Sequence, residues 1–147
     1  MKSIFLTISL LFGTMFSLSL YAGPATNEFG VCLTDSLTGK ERKNLAKWIY
    51  FAIAAHPEIT QYSKITESSR DDTNQYVGKL ITRLMTDDCP KQASAAIKEG
   101  GSKAIEHAFG LVGQVAMQEL MADKNVSGSI SGFEKYLDQE KIAELGM

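Results

Sequence analysis

The sequence predicts an all-α fold: a single-domain bundle of five or six helices carrying one disulfide. Three observations lead there. Apolar residues recur at three- and four-residue spacing, and no stretch of strict apolar–polar alternation competes with them. The chain has 147 residues, 44% of them hydrophobic and 22% charged, which suits one packed core rather than a disordered or fibrous chain. Its only two cysteines, Cys32 and Cys89, follow a segment that reads as an export signal.

That segment is residues 1–22. Lys2 gives a positive start, the run from Ile4 to Leu20 is mostly apolar, and Ala22 stands in a small-residue setting before Gly23-Pro24. This is the layout of a secretory signal peptide cleaved after Ala22. The apolar run holds six Ser, Thr or Gly residues and barely reaches spanning length, so a retained membrane anchor is not expected. The first cysteine lies ten residues beyond Ala22, too far along for a lipid-modified start. Residues 23–147 are therefore expected to form the mature helical domain, in the periplasm or secreted. In an oxidising compartment Cys32 and Cys89 are expected to pair. Closing a loop of that size stabilises by roughly 4 kcal/mol in the chain-entropy model. A redox dithiol would want C-x-x-C spacing, which is absent.

Ser36 or Thr38 can cap a first helix over 39–55, with Leu45, Trp48, Ile49, Ala52 and Ile53 as its core stripe. Pro57 stops it and suits the first turn of a short second helix through Tyr62. The polar residues 63–70 read as a loop. Asp71 or Asp72 then caps a third helix to about Thr86, with Tyr76, Val77, Leu80, Ile81, Leu84 and Met85 on one face. Cys89-Pro90 opens a fourth helix that fails at Gly100-Gly101. A fifth, capped by Ser102, runs to about Ala122 with Ile105, Ala108, Phe109, Val112, Val115 and Ala116 inward. Gly110 and Gly113 weaken it, and a close-packed neighbour there would explain them. After a loop at 123–130, a last helix is expected over 132–145. The disulfide would tie the chain before the first helix to the start of the fourth.

Cys32-Leu33-Thr34, Thr38-Gly39-Lys40-Glu41-Arg42, Leu45-Ala46-Lys47-Trp48-Ile49 and Ala55-His56-Pro57-Glu58 form one set of motifs; Val115 to Met121 and Phe133 to Asp138 form another. Together they resemble a family of small exported proteobacterial helical proteins for which no activity is known. The resemblance covers most of the expected mature chain. It implies a periplasmic or secreted bacterial protein, and brings no ligand or site residue with it.

Few residues suggest chemistry. G-x-S-x-G, H-E-x-x-H and the phosphate-cradling loop are all missing, so no catalytic residue and no cofactor is expected. His56, at the end of the first helix, is expected to cap carbonyls, and His107 to be solvated. With 15 basic against 17 acidic residues and a pI near 5.7, a nucleic-acid partner is not expected. Residues 123–134 match the oxygen-donor positions of an EF-hand loop through Asp123, Asn125, Ser127, Ser129, Ser131 and Glu134, with Gly128 at the turn. Val126 and Lys135 depart from that pattern, only Asp123 and Glu134 are charged, and a capping box of Ser131 with Glu134 accounts for part of it. A weak calcium module is thus the alternative function, and no metal ligand is assigned. Two features suggest binding. Lys40, Arg42, Lys43 and Lys47 crowd the start of the first helix, where cations oppose its dipole; a solvated face offset by Glu41 is the expectation, and the alternative is a site for an anion or an acidic partner. Residues 48–55 are eight apolar residues in succession. Burial on both sides is the expectation for this run; the alternative is an exposed contact patch built on Tyr50 and Phe51. The function this favours is a non-enzymatic helical interaction protein, inhibitor- or immunity-like, whose partner is another exported or envelope protein.

Overall fold

The computed structural model describes residues 23–146, and the expected signal peptide at 1–22 lies outside the described residues. The described residues are mostly helical and contain no strand. Its helices are α1 (Pro24–Asp35), α2 (Gly39–Ile53), α3 (Pro57–Thr60), α4 (Glu67–Arg83), α5 (Pro90–Met121), α6 (Lys124–Ile130) and α7 (Gln139–Ala143). A π-helical turn, Leu84–Asp88, follows α4, and a 3₁₀ turn, Ser131–Tyr136, follows α6.

The long helix α5 is the spine, and α1 packs along it more extensively than any other pair of elements. Its buried face is an alanine-rich stripe of Ala93, Ala96, Ala104, Ala108, Val112 and Ala116. Small side chains let α1 come close, and Phe29 and Leu33 of α1 fill the seam, both with no exposed surface. The Phe29 ring meets Phe109 edge-on at 6.3 Å between centroids. The closest approach falls at Gly30: a Cβ there would lie 2.3 Å from Leu111 Cδ1 and 3.6 Å from the Ala108 Cα. The glycines expected to receive a neighbour, Gly110 and Gly113, have none within 4 Å of an added Cβ.

The helix α1 was not among the expected elements, and the chain before α2 is therefore helical rather than a lead-in. Its N-cap, Gly23, contributes no side-chain bond. The helix α4 begins four residues earlier than Asp71, capped by Thr66, whose Oγ1 accepts from Ser69 N at 3.1 Å. Residues 67–70 are polar because they are solvated, not because they are irregular. Val77 and Leu80 on α4 and Leu84 at the start of the π-turn are buried as expected, while Tyr76 is exposed. The fourth and fifth expected helices run together as α5, broken at Gly101 by φ 59° and ψ −137°. The expected last helix over 132–145 is instead the 3₁₀ turn, an extended Leu137 and the short α7, which Asp138 caps through Lys141 N at 3.2 Å. Ser131 is the C-cap of α6, its N–H donating to the Ser127 and Ser129 carbonyls, and no hydrogen bond joins it to Glu134, so the expected Ser131–Glu134 capping box is not formed.

Cys32 and Cys89 are joined, with Cα atoms 6.0 Å apart. The bond links the C-terminal half of α1 to the residue that ends the π-turn, where Cys89 N donates to Leu84 O at 2.9 Å. Disulfides of this kind persist in oxidising compartments. Among the described residues no helix is long and apolar enough to cross a membrane.

Candidate interaction surface

The helix α2 starts from a complete capping box. Thr38 Oγ1 accepts from Glu41 N at 3.3 Å, and Glu41 Oε2 accepts from Thr38 N at 2.8 Å. Glu41 also pairs with Arg83 of α4 at 2.8 Å, and the Arg83 Nε lies 3.0 Å from Asp88 Oδ2. Burial pushes the Glu41 carboxyl up, but the Thr38 N–H and Arg83 outweigh it and hold the group below the ordinary glutamate range.

This bracing divides the basic cluster. Arg42 Nε and Lys43 Nζ both approach Glu119 of α5, at 3.9 and 3.7 Å. They help seat α2 on α5. Lys40 and Lys47 are exposed and form no ion pair with a described residue, so two of the four cations remain directed to solvent. The expected quartet is not a single patch.

Toward the other end of α2 the core stripe fades. Leu45 is buried and Trp48 and Ile49 are half-buried, the Trp48 indole donating to Asn74 Oδ1 of α4 at 2.9 Å. Ala52 and Ile53, expected inward, are exposed, and Ile53 keeps 51% of its surface in solvent. Burial on both sides is thus corrected: one side of this end of α2 stays in solvent. Tyr50 is 49% exposed and Phe51 is half-buried, with their rings edge-on at 6.1 Å. The helix α4 reaches this end of α2 through Arg70, whose Nη1 donates to the Phe51 carbonyl, and Tyr50 and Ile53 stay in solvent beside that contact. The helix α3 extends the same corner and buries none of its residues. His56 caps it, Nδ1 accepting from Glu58 N at 3.2 Å, rather than capping the carbonyls of α2. Ile59 and Tyr62 stand in solvent, Tyr62 at 82%. Sequence reasoning did not single these two out, although Ile59 and Tyr62 follow Pro57 at helical spacing.

The segment proposed as a calcium loop is folded as α6 and its following turn. Asp123 Oδ1 accepts from Asn125 N and Val126 N at 2.8 and 3.3 Å, and Ser127 Oγ donates to Lys124 O. Its donors are strung along a helix instead of wrapping a point. Among the described residues, no group of three or more His, Cys, Asp or Glu is placed to hold a metal ion.

Two grooves flank α5. One, of about 520 Å³, is lined by Met85, Pro90, Ala93 and Ile97. The other, of about 760 Å³, lies where α1 starts and is lined by Gly23, Thr26, Glu99, Lys103, His107 and Gln114. His107 is exposed, as expected of a solvated side chain. Neither groove brings together a nucleophile and a base in a hydrogen bond. No protein-family model, curated protein or solved structure matches this chain.

Proposed function

We propose that this is an exported protein of the periplasm or extracellular space that works by binding another exported or envelope protein, as an inhibitor or immunity protein does, without catalysis of its own. The observation that carries the reading is the α2–α3 corner. Tyr50, Ile53, Ile59 and Tyr62 are large apolar residues left in solvent within thirteen residues of chain. The other large apolar residues of α2, Leu45, Trp48, Ile49 and Phe51, are buried or half-buried. Exposed apolar residues with aromatic anchors are what protein interfaces use. Lys40 and Lys47 on the same helix would steer an acidic partner toward it. The resemblance to small exported proteobacterial proteins agrees with the compartment.

The test is photo-crosslinking in the native envelope, with a photoreactive residue at Tyr50 and a control at Gln75 of α4. A discrete adduct at Tyr50, absent at Gln75 and abolished by Ile53→Asp, supports the reading. No adduct at Tyr50, or one indifferent to Ile53→Asp, overturns it. Ile53 is half in solvent, so its replacement by Asp leaves the helical circular dichroism intact.

A further inference from the structure

The helix α1 is capped from a distance. Its N-cap is Gly23, whose side chain can accept nothing, and the exposed N–H groups of its first turn are answered by Glu99 of α5. One Glu99 oxygen accepts from Thr26 N at 2.9 Å and Thr26 Oγ1 at 2.8 Å, and the other accepts from Ala25 N at 3.2 Å. The carboxylate is also packed against Gly23: a Cβ on that residue would fall 2.2 Å from Glu99 Cδ and 2.4 Å from both oxygens. No side chain fits there unless Glu99 moves. Standard covalent dimensions then put the Gly23 nitrogen within about 5 Å of both oxygens.

Gly23 is also the residue that the signal-peptide reading makes first. We infer that Gly23 is the mature N-terminus and that its ammonium group binds the Glu99 carboxylate, so that export processing assembles a clamp between α1 and α5. The inference rests on the export reading. A peptidase selective for small residues adds water across the Ala22–Gly23 amide. The C–N bond breaks, Ala22 leaves as a carboxylate, and the freed Gly23 amine holds a proton at neutral pH. That ammonium stands at the positive end of the α1 dipole, where it is repelled unless an anion offsets it. Glu99 is the anion, already oriented by three donors. The other charged groups lining this groove are Lys103, Glu106 and His107 of α5, and Lys98 on α5 and Glu28 on α1 are the next in sequence. Only Glu99 is held against Gly23.

The test uses residues 23–147, which contain every described helix, with the Gly23 amine free or enzymatically acetylated, in wild type and in E99Q. Acetylation should lower the wild-type Tm by roughly 2–4 °C, in line with one exposed ion pair in a domain of this size. In E99Q it should leave Tm unchanged or raise it, because only the repulsion by the helix dipole remains to be removed. By NMR, the Gly23 amine should titrate above the ordinary α-amino range of about 7.7–8.0 in wild type and lose that elevation in E99Q. Equal acetylation effects in both proteins, with an amine pKa that E99Q does not move, overturn the clamp. If E99Q does not fold, the wild-type amine pKa in the folded against the urea-unfolded protein decides the matter the same way. Separately, the intact mass of protein exported from cells making all 147 residues reports the cleavage. A chain starting at Gly23 supports the inference, and any other start overturns the processing reading rather than the clamp geometry.

Discussion

At Gly101 the backbone takes φ 59° and ψ −137°, a region closed to residues with a Cβ. Nothing crowds an added methyl there, so the demand is conformational and not steric. Gly101→Ala should cost about 1–3 kcal/mol, read as a shift of the urea midpoint with unchanged slope. Gly100→Ala, next to it at helical angles, should cost less. Three carboxylates, Glu41, Glu99 and Asp138, are held below their ordinary range and shape the acid side of the stability profile. Glu99 is held below the ordinary glutamate range, first by the Thr26 hydroxyl and then by the Thr26 and Ala25 N–H groups. Glu41 is held low by Thr38 and Arg83 against its own burial. A group whose folded pKa is depressed contributes stability above its unfolded pKa and loses it as pH falls through the folded value. The unfolding free energy should therefore be flat from pH 7 to about 5 and fall below about pH 4.3, the ordinary glutamate value. Urea titrations at stepped pH check this, and E41Q should flatten part of the fall.

Among the elements, α1 and α6–α7 are opposites. The helix α1 has little local encouragement: no capping side chain, a central glycine, and no acidic residue in its first turn. It is nonetheless the best-packed partner of α5. Pro24 at the first position and the Phe29–Leu33 pair were signals in the sequence, but its cap comes from Glu99, more than seventy residues away. The stretch from α6 through α7 has good local caps in Asp123 and Asp138, yet buries no residue. Most helical stability in proteins comes from packing rather than propensity. Amide hydrogen exchange should thus be fast across residues 124–146 and slowest along 104–116. Ending the chain after Ala122 should move Tm by less than about 2 °C, within the range of surface changes. Thr38→Ala removes one half of a formed capping box and should cost about 1 kcal/mol.

Over the whole molecule, the disulfide joins the α1 end of the core to the π-turn, where Cys89 is fully buried. Its loss should cost about 2–5 kcal/mol, visible as a large drop in Tm for C32S/C89S and for protein treated with reductant. The sequence alone determined the helical class, the pairing of Cys32 with Cys89, the break at Gly101 and part of the inward face of α5, at Ala108, Val112 and Ala116. Each follows from periodicity, from the presence of only two thiols, or from a residue type with one conformational use. Tertiary structure alone decided which helices exist at the margins and which apolar residues stay in solvent. The helix α1 forms because α5 offers it an alanine seam and a distant carboxylate. Tyr50 and Ile53 stay exposed because they fall on the side of α2 that neither α4 nor α5, the helices packed against it, covers. Arg42 and Lys43 face Glu119 instead of a partner for the same reason: a periodic pattern marks a face, and only the packing of other helices settles what covers it.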